Sequence, residues 1–290
     1  MNGVILVSSA LDPSTHDFGS GNALPYALVL PSYAAIAWYH RKQPDRPPDL
    51  HTLLHEVERF ATTDYLQALG AGDTLSAMRR ADIVNALHRY TGIAAEYWDR
   101  SGLRVDPPHF EAELLRDRGA LVGRQDGRFV GPMSDAKLDR APYDVSSAAL
   151  FPALLSTFNH YLTTELQVKT EEHGRYVFQG DVEPWDTSHR APGFAGSGPG
   201  APRPNVALDL AEALNRDPRL RVLVHSGYFD LATPYGSTQW TLNHLGLSPD
   251  LRTHIREVDY DAGHAMYVSE PALAQFKKTL SDFIDSTHAR

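Results

Sequence analysis

The sequence contains no cysteine among its 290 residues. Disulfide bridges and thiol nucleophiles are therefore excluded, although the lack of cysteine assigns no compartment. An excess of basic residues is also missing, since 27 Lys and Arg stand against 36 Asp and Glu, for a net charge of −9. This balance argues against a general nucleic-acid surface and an anionic-membrane surface, so neither partner is expected.

A signal sequence and a membrane span are not expected either. No Lys or Arg precedes Arg41, and the apolar run of residues 4–7 is too short for a signal core. The longer uncharged stretch at 23–39 contains Pro25, Pro31 and three tyrosines, which predict a buried loop and helix rather than a span. The sequence therefore assigns no localisation.

An aspartate and a histidine follow two consecutive predicted strands. The apolar run within 221–225 predicts a strand covered on both faces, and Asp230 comes after it. A second strand is predicted at about 254–258, and His264 follows it in a glycine-containing loop. The two residues are 34 positions apart, which fits a strand–helix–strand unit. Since open parallel sheets place ligands beyond the carboxyl ends of their strands, Asp230 and His264 are the candidate catalytic pair.

Paired in this way, the two residue types indicate hydrolysis. A histidine takes the proton of a serine nucleophile, while a carboxylate on its other ring nitrogen fixes the tautomer. Asp259 and Asp261 are rival carboxylates, but they belong to the strand and loop of His264 itself, so Asp230 is the preferred partner. Taken singly, Asp230 is more readily a turn residue or helix cap than a catalytic acid, and His264 is more readily a solvated loop residue than a catalytic base.

The nucleophile itself is not found. No serine of the chain has glycine both two positions before it and two positions after it. That spacing forms the strained strand-to-helix turn that exposes a nucleophilic hydroxyl. We therefore expect a nucleophile, if there is one, to come from residues outside this sequence.

Two further patterns are weaker. His51 and His55 are four positions apart, a zinc-binding spacing, but the glutamate that zinc proteases place after the first histidine is absent. This favours a solvated helix surface. The glycine- and proline-rich stretch 193–204 predicts a surface loop, because no strand directly precedes it and proline removes amide donors. No metal or cofactor is expected.

The middle of the chain is predicted to be mainly helical. Apolar residues at helical spacing, Met78 among them, mark helices at about 53–66, 75–87, 110–115 and 151–162. Residues 121–122 and 128–130 flank Asp126-Gly127, which predicts a short hairpin. Further on, Thr233 is predicted to cap the helix between the two strands, with Pro234 at its first position. A last helix is predicted from about Ser269.

Several segments together resemble bacterial members of the serine carboxypeptidase family. They are residues 2–12, 24–27, 30–40, 122–128, 184–186, 227–230 and 262–267. The resemblance implies an α/β-hydrolase fold with a helical cap, removal of C-terminal residues from peptides, and the roles of acid for Asp230 and base for His264. It also implies that the serine elbow and the oxyanion-hole glycines lie before residue 2. The missing N-terminal half is therefore an expected partner, together with a peptide substrate.

The expected fold is α/β, the C-terminal part of an α/β hydrolase. Residues 1–32 and 200–290 are expected to form an incomplete core, with a mostly parallel sheet flanked by helices, and residues 33–199 a mainly helical cap insertion and linker. The expected function is that of a serine-type carboxypeptidase, inactive as an isolated chain because the nucleophile is absent. The alternative is a non-catalytic remnant or a peptide-binding protein with a hydrolase-derived fold.

Overall fold

The computed structural model describes residues 2–19, 21–168, 189, 192 and 205–288. Its strands are β1 (Gly3–Val7), β2 (Ala120–Val122), β3 (Val130–Pro132), β4 (Arg221–Gly227) and β5 (Ile255–Tyr260). Its helices are α1 (Leu24–Tyr39), α2 (Leu50–Phe60), α3 (Leu66–Ala71), α4 (Ala77–Thr91), α5 (Ala95–Arg100), α6 (Pro107–Glu113), α7 (Val145–His160), α8 (Ala207–Arg216), α9 (Tyr235–Asn243), α10 (Pro249–Arg252) and α11 (Glu270–His288). The predicted mixed α/β class is confirmed. The predicted surface loop at 193–204 and the 184–186 segment lie outside the described residues.

A small parallel sheet carries strands in the order β1-β4-β5. Gly3 of β1 is in register with Arg221 of β4, and Val222 of β4 is in register with Ile255 of β5. Both strands predicted near the candidate pair are present, and each extends two residues beyond its predicted end. The parallel arrangement places the ends of β4 and β5 at one edge.

Helices cover both faces of this sheet. Val222 and Val224 of β4 pack in one cluster with residues of α8 and α9. On the opposite face, Tyr260 of β5 packs with Phe276 of α11. This double coverage explains why β4 reads as a continuous apolar run rather than an alternating one.

The uncharged stretch at 23–39 forms one helix, α1, rather than the predicted loop and helix. Residues 25–37 are buried, because α2, α4 and α9 pack around α1. Pro31 lies inside this helix, where tertiary packing outweighs the loss of one main-chain hydrogen bond. The expected core boundary after residue 32 therefore falls within a continuous helix. None of the helices in the described ranges is long and apolar enough to cross a membrane.

A large apolar cluster joins α1 to the helices α2–α6. The ring of Tyr33 in α1 stacks on Phe110 of α6, with ring centroids 3.9 Å apart, and Trp98 of α5 is fully buried. The prediction that Met78 lies on the apolar face of its helix is wrong, because its side chain is 78% exposed. Ser76 caps α4, so Met78 lies in the first turn and precedes the buried stripe of the helix.

The predicted hairpin is present as the antiparallel pair β2 and β3, with Val122 opposite Val130. Its connection is longer than a tight Asp126-Gly127 turn. Residues 123–129 leave the hairpin and contact the loops that follow β4 and β5. This connection therefore brings the middle of the chain to the carboxyl edge of the sheet.

Candidate active site

The carboxyl ends of β4 and β5 are side by side. Gly227, the last residue of β4, is the register partner of Tyr260, the last residue of β5. Asp230 follows the first of these ends and His264 follows the second. Since both loops start from the same edge of the sheet, the two side chains meet there.

Asp230 and His264 are in direct contact. Nδ1 of His264 lies 2.9 Å from Oδ2 of Asp230. An ionised carboxylate can only accept, so Nδ1 carries the proton and donates it. Among the described contacts, neither rival carboxylate bonds the His264 ring. Oδ2 of Asp259 accepts a hydrogen bond from Gln239 at 3.3 Å, and the main-chain carbonyl of Asp261 accepts one from a guanidinium group. The structure thus brings His264 to Asp230 and not to its neighbours in sequence.

The Asp230 carboxylate is fully buried and surrounded by donors. Its Oδ1 accepts the main-chain N–H groups of Ala232, at 2.7 Å, and Thr233, at 3.0 Å. Its Oδ2 accepts the Thr233 hydroxyl at 2.7 Å in addition to the His264 ring. A buried carboxylate is stable as an anion only when its oxygens are satisfied in this way.

Thr233 is a site residue that sequence reasoning missed. It was expected to cap the following helix, but α9 starts at Tyr235, and Pro234 occupies its N-cap position without a side-chain bond. The Thr233 hydroxyl instead donates to Asp230 and lies 3.1 Å from Nδ1 of His264. The signal for this role was local: an aspartate three residues before a threonine is a pattern in which side chain and main chain close a turn.

The contact with Asp230 raises the pKa of His264 above its ordinary value. The hydrogen bond to Asp230 is the main cause, while burial of the ring and the nearby Arg124 guanidinium oppose it. The imidazolium form is therefore stabilised by the carboxylate behind it. The His264 side chain is 33% exposed, and within the described part of the chain its Nε2 has no hydrogen-bond partner. This second nitrogen is the atom that can exchange a proton with a ligand.

Two glycines allow the loops to approach closely. A Cβ on Gly227 would lie 2.3 Å from the Gly263 carbonyl oxygen, and a Cβ on Gly263 would lie 2.5 Å from Asp126. The main-chain N–H of His264 donates to the Gln125 carbonyl at 2.7 Å. The hairpin connection is thus held against the His264 loop. A side chain at Gly263 would displace the hairpin connection, and one at Gly227 would displace the His264 loop itself.

Ser8 is the serine whose hydroxyl contacts the His264 loop. It follows β1, and its φ of 47° lies in the left-handed region, which is uncommon for a residue with a side chain. Its hydroxyl donates to the main-chain carbonyl of His264 at 2.6 Å. Among the described residues, no serine hydroxyl is bonded to the His264 ring. Ser8 therefore positions the loop and does not act as a partner of the imidazole.

A cavity of about 920 Å³ lies next to this cluster. Leu231, Ala232 and Thr233 form part of its wall, so the Asp230 turn separates the carboxylate from the cavity. Arg124 and Arg140 also line it. The cavity is large enough for a small peptide-like ligand.

The described residues offer no cluster of three or more His, Asp or Glu side chains that could hold a metal ion. The histidines with zinc spacing point to separate partners. The His51 ring contacts Tyr228, and Nδ1 of His55 lies 3.6 Å from Glu58. His51 and His55 therefore do not point to a common position where a metal ion could bind.

No protein-family model, curated protein or solved structure matches the chain.

Proposed function

We propose that Asp230 and His264 are the acid and the base of a serine-type hydrolase with an α/β-hydrolase fold, of the carboxypeptidase kind that the sequence resembles. The observation that carries this proposal is the 2.9 Å contact between the buried Asp230 carboxylate and Nδ1 of His264. The contact lies beyond the carboxyl ends of adjacent parallel strands, in the chain order Asp then His that this fold uses.

In the proposed reaction, Nε2 of His264 takes the proton of a serine hydroxyl as that oxygen attacks the peptide carbonyl. The same nitrogen then gives the proton to the leaving amine, while Asp230 holds the ring and stabilises the imidazolium. Hydrolysis of the acyl-enzyme by water repeats the two proton transfers and regenerates the serine. Thr233 acts as a positioning residue, because its hydroxyl fixes the carboxylate oxygen that His264 contacts.

The nucleophile in this proposal is a serine outside the present sequence. Strand β1 is the edge of the β1-β4-β5 sheet on the side opposite to β5. A serine-bearing strand placed beside β1 would complete the spatial order Ser, Asp, His along the carboxyl edge. The isolated chain is accordingly expected to show no turnover, since neither the covalent route nor an oxyanion hole is supplied.

Activity can be tested by co-expressing the chain with the polypeptide encoded in frame upstream of it and measuring hydrolysis of blocked dipeptides. His264→Ala is expected to lower kcat/KM by roughly a thousandfold or more, because the proton acceptor is lost. His55→Ala, an exposed histidine of α2, is the matched control and should leave the rate unchanged. Equal hydrolysis with and without the His264 imidazole would falsify the assignment of the base.

The pair can also be tested in the chain itself through the titration of His264. Because the bond to Asp230 raises the pKa of His264, Asp230→Asn is expected to lower it, as followed by NMR of the ring protons. In an active preparation the base must be neutral, so the rate should rise as the pH passes through the raised pKa. The midpoint should then move to lower pH in Asp230→Asn. An unchanged titration would show that the carboxylate does not control the ring.

The second candidate function is peptide binding without catalysis. It is favoured by the lack of an elbow serine in the sequence and by the 920 Å³ cavity beside the pair. Under this alternative, blocked dipeptides bind in the cavity, and no combination with an upstream polypeptide hydrolyses them. His264-dependent turnover would exclude it.

A further inference from the structure

Arg124 presents its side chain to the cavity from a fixed main chain. Its N–H donates to Oδ1 of Asp144 at 2.7 Å, and its carbonyl accepts the N–H of Leu231 at 2.9 Å. The residue is thus tied to α7 on one side and to the Asp230 turn on the other. Such a fixed main chain lowers the entropy that a ligand must remove when it pairs with the side chain.

The guanidinium of Arg124 has no hydrogen bond or ion pair with any described residue. Arg140, the other arginine of the cavity wall, lies 3.5 Å from Oδ2 of Asp106. The carboxylate of Asp106 also caps α6 and contacts the His109 ring. The acid of the cavity wall is therefore already engaged, and within the described ranges the guanidinium of Arg124 stays unpaired.

Neither of two further carboxyl groups near Arg124, those of Asp144 and Glu111, bonds its guanidinium. Asp144 is occupied by the hydroxyls of Ser146 and Ser147 and by the main-chain N–H of Arg124. Glu111 is 2% exposed, and its Oε1 has no partner. Burial raises the pKa of Glu111 to about 8, so this group is mostly uncharged at pH 7. An anion entering the cavity would therefore meet a guanidinium that no carboxylate of the described residues contacts.

We infer that the cavity beside Thr233 binds a carboxylate group of a peptide through the guanidinium of Arg124. The identification of the ligand as a peptide rests on the proposed function, whereas the presence of an anion site does not. A guanidinium matches a carboxylate with two parallel N–H donors, so charge and geometry agree. The carboxylate is either the C-terminal group of the peptide or an acidic side chain, and both chemistries fit the same arginine.

Binding of three probes, measured by calorimetry and by NMR titration, separates these sources. N-acetyl-Ala-Ala carries only a C-terminal carboxylate, N-acetyl-Glu-Ala-amide carries only a side-chain carboxylate, and N-acetyl-Ala-Ala-amide carries neither. At least one of the two acids is expected to bind about tenfold to a hundredfold more tightly than the neutral amide. The acid that gains affinity identifies the source. Equal affinity for all three probes would overturn the inference.

Variants then test the residue. Arg124→Ala should remove the preference for the acid, and Arg124→Lys should keep part of it, because the charge remains but the fork is lost. Arg219→Ala, at a side chain that is 91% exposed, is the matched control and should bind as the unsubstituted chain does. A preference that persists in Arg124→Ala would overturn the inference even when a carboxylate binds.

The inference and the proposed function can fail separately. His264→Ala removes the proposed base and should leave the preference for the acid in place. If the preference for the acid depends on Arg124 but no preparation shows turnover, the anion site stands and the hydrolase proposal is refuted. If turnover depends on His264 but Arg124→Ala changes the rate for neither acid nor amide substrates, the hydrolase proposal stands and the anion site is refuted.

Discussion

Two buried carboxyl groups, one after β4 and one in α6, have opposite surroundings. Asp230, at the carboxyl edge of the sheet, is 0% exposed and accepts four hydrogen bonds. Glu111, in α6, is 2% exposed, and its Oε1 accepts none. Both are removed from water to the same extent, so the difference lies in the donors that each one meets.

Donors decide which buried carboxyl group can act as a charge. For Glu111, desolvation is the first cause of a pKa raised to about 8. For His264, the hydrogen bond to Asp230 is the first cause of a raised pKa, so Asp230 acts on its neighbour as an anion. His264 therefore contacts a negatively charged, fully hydrogen-bonded carboxylate, Asp230, whereas the acid Glu111 near Arg124 is uncharged. The two carboxyl groups therefore differ in charge because of the hydrogen bonds that each one receives.

The largest loss of stability is expected from Asp230→Ala, which removes the carboxylate that has donors. The substitution leaves two N–H groups, a hydroxyl and the His264 ring without their acceptor in a buried site. We expect the free energy of unfolding to fall by about 3 kcal/mol, the lower end of the range for breaking a buried ionic contact. Urea unfolding at pH 7 measures the change.

Asp282→Ala removes an exposed carboxylate that pairs with Lys278 one turn away in α11 and is the control for Asp230→Ala. Exposed pairs of this kind contribute about 0.5 kcal/mol or less. Similar losses in the two variants would mean that the donors around Asp230 do not stabilise its charge.

The positions of Asp230 and His264 followed from sequence because the signal is local. Each strand is a short apolar run, and each candidate residue lies a few positions after it. Gly263 and Arg124 were not recognised as site residues, because their roles depend on contacts between the hairpin connection and the loops after β4 and β5, which lie more than a hundred residues further along the sequence. A pattern within a short stretch of sequence carries no information about contacts between distant segments.

The helix α1 illustrates the same limit. Its prolines predicted a loop before the helix, since proline removes a main-chain donor and disfavours the preceding turn. The structure accommodates Pro31 because the helix is surrounded by apolar neighbours, and that burial outweighs the local preference. Local propensity therefore failed in a helix whose residues 25–37 are all buried.

A smaller effect is expected from Gly263→Ala, which disturbs the loop that carries His264 without removing a charge. The added Cβ would lie 2.5 Å from the Gln125 carbonyl and from the Cβ of Asp126, so the loop and the hairpin connection must move apart. We expect a loss of about 2 kcal/mol by urea unfolding, typical of overpacking. The pKa of His264 should also fall as its contact with Asp230 lengthens.

Gly70→Ala is the control for this substitution, because a Cβ at this exposed position of α3 meets no atom within 4 Å. It should be neutral or slightly stabilising, since alanine favours a helix. If Gly263→Ala unfolds at the same urea concentration as Gly70→Ala, the close approach of the two loops contributes nothing to stability.

The smallest expected effect concerns Glu111 and the binding of a carboxylate by Arg124. Glu111 interacts with Asp144, Arg124, Asp106 and Arg140, and burial raises its pKa to about 8. As the pH rises through this value, Glu111 gains a negative charge close to Arg124, so the affinity for N-acetyl-Ala-Ala or N-acetyl-Glu-Ala-amide should fall. We expect a decrease of about threefold at low ionic strength, less at high salt.

Glu111→Gln keeps the shape of the protonated acid but cannot ionise, so its affinity should stay constant between pH 7 and pH 9. Glu96→Gln, at an exposed position in the first turn of α5, should reproduce the pH dependence of the unsubstituted chain. A decline that persists in Glu111→Gln would place the titrating group elsewhere. If the decline disappears in Glu111→Gln, Glu111 is the titrating group. Glu111 then leaves Arg124 available to the ligand at pH 7 because, unlike Asp230, it has no donors and remains uncharged.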